Sequence, residues 1–288
     1  ENMAAKIAGL SLLVKYGGDE VFQELIVAMD HPKKKYRAAA LRLAGSFQGT
    51  TYTEAWIEKL HNCNAAVKDE IITMLGDRND PGAFQALVSE LDHSDPQVRH
   101  AALVAAGKIN PQETLEIIIK IMQAETETDL ELIADMIRWL RMDDVAGLLV
   151  KNYPSFNPGA KALVLEYLAE KKSSGHWGLV YQETNSKNAE VSAAAFKSLS
   201  GLAKPEHLED ILQLMIHTGS GMHTEHLQEA AISALQDYAP KTEGFNMVLS
   251  VMNASDSTDR SQYLPILSGV GGTEALNIIY QEFKEGNQ

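Results

Sequence analysis

Apolar and polar positions follow one recurring phrase along this chain, most sharply in DHSDPQVRHAALVAAG, Asp92 to Gly107. Asp95 has the side chain of a helix cap and Pro96 suits a first helical turn. Val98, Ala101, Ala102 and Ala105 then fall on one apolar face at helical spacing. Aligning Gly45, Gly76 and Gly107 gives a spacing of 31 residues twice, and equivalent helix ends follow near Trp139, Ala169, Ser200, Gln236 and Ser268. Self-similarity at such a period predicts a stacked array of one helical unit.

The columns of this alignment carry the physics. Twelve positions before each end stand Lys33, Asn64, Asp95, Glu127, Asn157, Asn188, Thr224 and Asp256. Most of these side chains can accept from the free amides of a helix start, each cap being worth ~1 kcal/mol relative to Ala. Eight before stand Arg37, Lys68, Arg99, Glu131, Lys161, Ser192, Gln228 and Arg260, basic in five of eight copies. Five before stand Ala40, Ile71, Ala102, Ala134, Val164, Ala195, Ala231 and Tyr263. That column is mostly small, as close approach of stacked helices requires, and it is expected to be buried.

DPQVRHAALVAAG (Asp95 to Gly107), with fainter copies such as YRAAALRLAG (Tyr36 to Gly45), resembles the HEAT repeat in its short, bilin-lyase-type form. The resemblance covers nearly the whole chain and is sharp around Asp95 and Arg99. It implies a right-handed α-solenoid of about eight to nine helical hairpins over 1–288. It also implies that the Asp and Arg columns form ladders between repeats, so Asp95 and Arg99 are structural residues. Where Glu131, Ser192 and Gln228 replace the basic residue, the ladder is expected to be interrupted.

Run back from Gly45, the period puts Asn2 in the cap column and Lys6 in the basic column, so the chain opens on the second helix of a repeat. The expectation is a module cut from a longer polypeptide with covalently linked neighbouring domains. Further helices are expected at Asp19 to Met29, Tyr52 to Leu60, Pro81 to Leu91, Pro111 to Ala124 and Asp143 to Tyr153. Then come His176 to Glu183, Pro205 to His217 and Thr242 to Met252, each followed by its partner; Asp256 to Leu267 is the partner of the last. A helix over Thr273 to Phe283 has no partner.

Composition agrees. Hydrophobic residues make up 45%, enough for a continuous core, and no apolar run reaches the ~20 residues that span a bilayer. A net charge of −14 repels phosphate backbones and anionic lipid, which sets nucleic acid and membrane aside as partners. The single cysteine, Cys63, excludes an internal disulfide and leaves the compartment open.

Candidate chemistry is sparse. Deoxyhypusine hydroxylases, the HEAT-built di-iron enzymes, use His-Glu dipeptides, and none of the nine histidines here is followed by Glu. His31, His61 and His93 recur in turns and read as copied turn residues rather than an ion ladder. His217, His223 and His226, near Glu225 and Glu229, form the one metal cluster worth weighing. A divalent site needs three or four convergent ligands, and solvated loop residues are the preferred reading. No glycine-rich phosphate loop, GxSxG elbow or CxxC occurs, Cys63 has no neighbouring base, and Asp143 with Asp144 reads as a helix start. No cofactor is called for.

The stronger signal is a patch. Positions ten, seven and three before each end should face outward on the second helices, the concave surface of the resembled family. Most are polar or small, as in Lys35, Ala38 and Arg42, or Ala66, Asp69 and Thr73, or Glu190, Ala193 and Lys197. In the third and fourth repeats they become Gln97, His100, Val104 and Asp129, Leu132, Met136, with Trp139 beyond. Clustered exposed apolar side chains mark a binding surface. The alternative is a local register slip that buries Leu132 and Met136, which Arg138 in an otherwise apolar column favours. The sequence therefore points to a non-enzymatic binding or scaffolding module for a protein or peptide. Two rivals stand beside it: a bilin-lyase-like enzyme, and an accessory module of a larger bacterial, carbohydrate-active enzyme.

Overall fold

The computed structural model describes residues 2–124 and 130–285, and among them every regular element is a helix. The chain forms two compact units: Glu1–Ile121 with Glu131–Val145, and Met122–Leu130 with Ala146–Gln288. In chain order the first nine helices are α1 (Met3–Tyr16), α2 (Phe22–Ala28), α3 (Lys34–Ala44), α4 (Thr50–His61), α5 (Ala65–Arg78), α6 (Phe84–Ser89), α7 (Pro96–Ile109), α8 (Pro111–Gln123) and α9 (Leu130–Trp139). The remainder are α10 (Val145–Asn152), α11 (Pro158–Glu170), α12 (Trp177–Glu183), α13 (Ala189–Leu202), α14 (Leu208–Thr218), α15 (Thr224–Gln236), α16 (Lys241–Ala254), α17 (Ser257–Arg260), α18 (Leu264–Val270) and α19 (Thr273–Glu285).

Most hairpins pair a shorter first helix with a longer second one; α8 with α9, and α16 with α17 and α18, are the reverse. In the first unit α3, α5, α7 and α9 are the second helices; in the second unit they are α11, α13, α15 and α18. The helix starts follow the cap column. Asn64 accepts the amide of Val67, Asp95 that of Gln97, Asn157 that of Ala160 and Asn188 that of Val191. Thr224 departs from it: His223 holds the cap position, and the Thr224 hydroxyl accepts the Gly221 amide instead. Glu127 lies outside the described residues.

The small column is the floor of the core. Ala40, Ile71, Ala102, Val164, Ala195, Ala231 and Tyr263 are all fully buried, and Ala134 alone is not. The fourth copy sits one residue earlier than the alignment on Trp139 implies. A strict 31-residue step from Gly107 ends at Arg138, and 31 more reaches Ala169. In that register Ile133, Met136 and Ile137 take the buried positions, as they do in the structure. Arg138 then stands at the helix end rather than in an apolar column.

The basic column ties hairpins together in the first unit. The Arg37 guanidinium makes two hydrogen bonds to Glu70, at 2.8 and 2.7 Å, and a third to the His31 carbonyl. Lys68 forms a buried ion pair with Glu90. Arg99 donates to the His93 and Ser94 carbonyls of its own turn, and Asp95 caps its own helix. The expected interruption at Gln228 is corrected, because its amide donates to the Gln262 carbonyl of the following hairpin and keeps the rung. Ser192 bonds back to Thr184.

Asp256 to Leu267 is not one helix. It breaks into α17, a tighter turn over Ser261–Tyr263, and α18. Pro265 has no amide hydrogen for the carbonyl one turn earlier, which disfavours a continuous helix there. The last helix is not without a partner either: α19 packs on α18 through buried Ala275, and Arg260 pairs with Glu282 at 2.6 Å. Among the described residues no helix is long and apolar enough to cross a membrane.

Candidate functional site

Within the first unit, α5 and α7 pack in direct contact. Gly76 makes this possible: a Cβ there would lie 2.7 Å from the Ala105 Cβ and 2.8 Å from its Cα. One repeat on, Gly107 occupies the same register, but the residue it meets is Met136, whose Cε fills the glycine's empty place. One repeat back, Gly45 and Met74 line one cleft, but no Met74 atom lies within 4 Å of the place a Gly45 Cβ would take. The residue two before each helix end thus runs Met74, Ala105, Met136. At Met136 the methionine is a long spacer where Ala105 is a short one, and of these second helices α5 and α7 lie closest together.

Two clefts result. The larger, of about 780 Å³, lies between α7 and α9. Its apolar surface comes from Val104, Met136, Leu140 and Trp139, with Gly107 and Pro111 completing the wall. Trp139 is 74% exposed, whereas Trp56 and Trp177 are buried, so one tryptophan of three stands in solvent. His100, Lys108, Asp135 and Arg141 form the polar rim. Lys108 is tied to Asp77 at 2.7 Å and Asp135 to Arg138 at 3.3 Å.

Of the six residues expected to form the patch, His100, Val104, Met136 and Trp139 meet in this cleft. Gln97 is exposed one turn away and does not line it; Leu132 is half-buried and does not line it either. Met136 was expected to face solvent and is only 3% exposed, because it packs into the space over Gly107. Asp129 lies outside the described residues. Asp135, Leu140 and Arg141 were missed. A strict 31-residue register would have put Asp135 three before the helix end, directly in the outward column.

The other candidates do not assemble. Among the described residues no three His, Cys, Asp or Glu side chains converge to hold a metal. The His217 Nδ1 lies 2.7 Å from the Gln213 carbonyl oxygen, while the His223 ring stacks on Phe196 at 3.9 Å. Burial, reinforced by His226, holds His223 below the ordinary imidazole range. The weighed triad His217, His223 and His226 is therefore set aside. His31 and His93 accept the amides two residues on, from Lys33 and Asp95, as turn-forming side chains do, and His61 ends α4 instead. Burial pushes the half-buried Cys63 thiol up, which suppresses its thiolate.

The family model of HEAT repeats matches residues 53–136, a span that runs from α4 into α9 and includes most of the cleft. No curated protein matches the chain by sequence. Among solved structures, the chain is similar to human deoxyhypusine hydroxylase in complex with glycerol, at 16% identity and a TM-score of 0.35, over 78% of this chain and 99% of that one. It is also similar to the CpcE and CpcF complex of phycocyanin lyase from Nostoc sp., at 13% identity and a TM-score of 0.32, over 87% of this chain and 90% of that one. Likenesses of this size bear on neither activity nor partner.

Proposed function

With residues 53–136 built of HEAT repeats, we propose that the chain is a non-enzymatic binding module that takes a protein or peptide partner in the cleft between α7 and α9. One observation carries the reading: a 74% exposed tryptophan stands beside an apolar cleft of about 780 Å³. An indole held in water at the mouth of a concave apolar site has the composition of an interface hot spot, and truncating such a residue typically costs 2 kcal/mol or more. The volume suits one or two side chains of a partner, within the ~300–1,000 Å³ of ordinary ligand sites. The polar rim, with Lys108 and Asp135 already paired, would set register rather than supply most of the affinity.

A random peptide library displayed on phage and selected against the intact chain tests this. Trp139→Ala, verified as folded by circular dichroism, should weaken the selected peptides by about thirtyfold, the equivalent of ~2 kcal/mol. Binding should also alter the solvent-exposed Trp139 emission, which a Trp139→Phe variant isolates from the two buried indoles. Failure to select any peptide, or selected peptides that bind Trp139→Ala as tightly as the parent, would overturn the reading.

A further inference from the structure

The second cleft, of about 660 Å³ between α3 and α5, is the same construction shifted by 62 residues. Ala38 stands where His100 does, Arg42 where Val104 does, Gly45 where Gly107 does and Met74 where Met136 does. Asp77 replaces Trp139 and Arg78 replaces Leu140. The two clefts belong to one unit and differ in three lining side chains: Val104, Trp139 and Leu140 of the first are replaced by the charged Arg42, Asp77 and Arg78 in the second.

The charges of the second cleft do not cancel. Glu70 is taken by Arg37, Asp77 by Lys108, and Arg78 donates to the Ala44 and Phe47 carbonyls. Lys34 and Arg42 have no ion-pair partner among the described residues, against one such carboxylate, Asp69. Lys33 and Lys35 extend the cationic edge along the start of α3. The whole segment 2–48 carries seven cationic and four anionic side chains in a chain whose net charge is −14. This is a local reversal of sign on an otherwise acidic protein.

Resting on the binding reading above, we propose that the two clefts are two subsites for one extended peptide segment: an aromatic or aliphatic anchor enters between α7 and α9, and an acidic cluster meets Lys34 and Arg42 between α3 and α5. Neighbouring helix axes lie ~8–10 Å apart, so two clefts separated by the closed α5 and α7 pair are ~18–20 Å apart. An extended chain advances ~3.3 Å per residue, so about six residues separate anchor from acidic cluster. Asp77 and Lys108, paired across the intervening helices, leave no unmatched charge midway.

Fluorescein-labelled peptides carrying a Phe-Leu anchor, a Gly/Ser spacer and a Glu triplet test the arrangement by anisotropy on the full chain. The Glu triplet at a spacer of about six residues, in one of the two chain directions, should tighten binding about tenfold over the anchor and spacer alone. A two-residue spacer or a Lys triplet should give no gain. Lys34→Glu with Arg42→Glu should return the peptide to anchor-only affinity, as should raising salt from about 0.05 M to about 1 M, where the screening length falls to about 3 Å. If the anchor peptide binds and loses binding with Trp139→Ala while the Glu triplet adds nothing at any spacing, the two-subsite proposal fails and the binding reading stands. If no anchor-bearing peptide binds, both fail.

Discussion

Gly76→Ala and Gly107→Ala are the same change at the same register of successive helices, and the structure predicts different results. Neither glycine has a positive φ, so each substitution gains about 1 kcal/mol of helix propensity. At Gly76 the new Cβ would lie 2.7 and 2.8 Å from Ala105 Cβ and Cα, well inside the ~3.5–4.0 Å of ordinary carbon contact. No rotamer of Ala105 relieves this. The axes of α5 and α7 must separate, at an overpacking cost toward the top of the usual ~1–3 kcal/mol, which leaves a net loss of about 1–2 kcal/mol. At Gly107 the new Cβ would meet the Met136 Cε at 2.6 Å, the far end of a side chain with three rotatable bonds beside an open cleft. Met136 can swing aside, so the net effect should lie between neutral and about 1 kcal/mol stabilising. Urea unfolding read by circular dichroism, with hydrogen exchange of the α5 and α7 amides, separates the two. Equal destabilisation of both variants, or a neutral Gly76→Ala, would refute the account of what spaces these helices.

Two further outcomes follow from buried polar contacts. Glu90→Ala strands Lys68, whose side chain is 11% exposed, and should cost about 3–5 kcal/mol in urea unfolding, whereas Lys68→Met with Glu90→Leu should come within about 1 kcal/mol of the parent. Equal costs for the single and double variants would show that the pair's charge is not what matters. The Thr53 hydroxyl, then the Gly82 amide, donate to Asp80 and hold its carboxyl below the usual carboxylate range. A depressed folded value contributes stability that is present above the unfolded value of ~3.9 and lost as pH falls through the folded one. Thr53→Val should therefore move the Asp80 titration, followed by NMR at its carboxyl carbon, to higher pH, and an unmoved titration would refute the attribution.

The fold was legible because its column of small side chains is redundant. Ala40, Ala102, Ala195 and Ala231 each announce a helix that a neighbour must approach closely, and Asn64, Asp95, Asn157 and Asn188 mark where those helices begin. The register departs from the expected one at α9, where that redundancy fails. Leu130, Leu132, Ile133, Met136, Ile137 and Trp139 spread over about half of the helix circumference, a band wide enough that two registers fit the hydrophobic pattern. Only the strict period, ending at Arg138, chooses the one that buries Ile133 and Met136. Pro265, by contrast, is a reason within the sequence itself to break the last long helix, and α18 starts beside it.

The clefts were not legible because an opening between helices is a property of pairs 29 residues apart, not of any one helix. Gly76 against Ala105 lets α5 and α7 touch; Gly107 against Met136 holds α9 off α7. In the second unit the corresponding buried residues on α13 and α15 are Ser198 and Ala234, both small, whereas α18 carries Ile266; at Gly201 the helices come so close that a Cβ would lie 2.5 Å from the Ala169 carbonyl oxygen. An array of near-identical hairpins would be uniform if every such position held alanine. Methionine at Met74 and Met136 breaks the uniformity at two places, and what stands at the mouth of each opening, Arg42 in one and Trp139 in the other, gives it its chemistry. On the proposed binding reading, specificity would be built in two steps: a buried spacer sets where neighbouring helices open, and an exposed residue on the neighbouring turns decides what can enter.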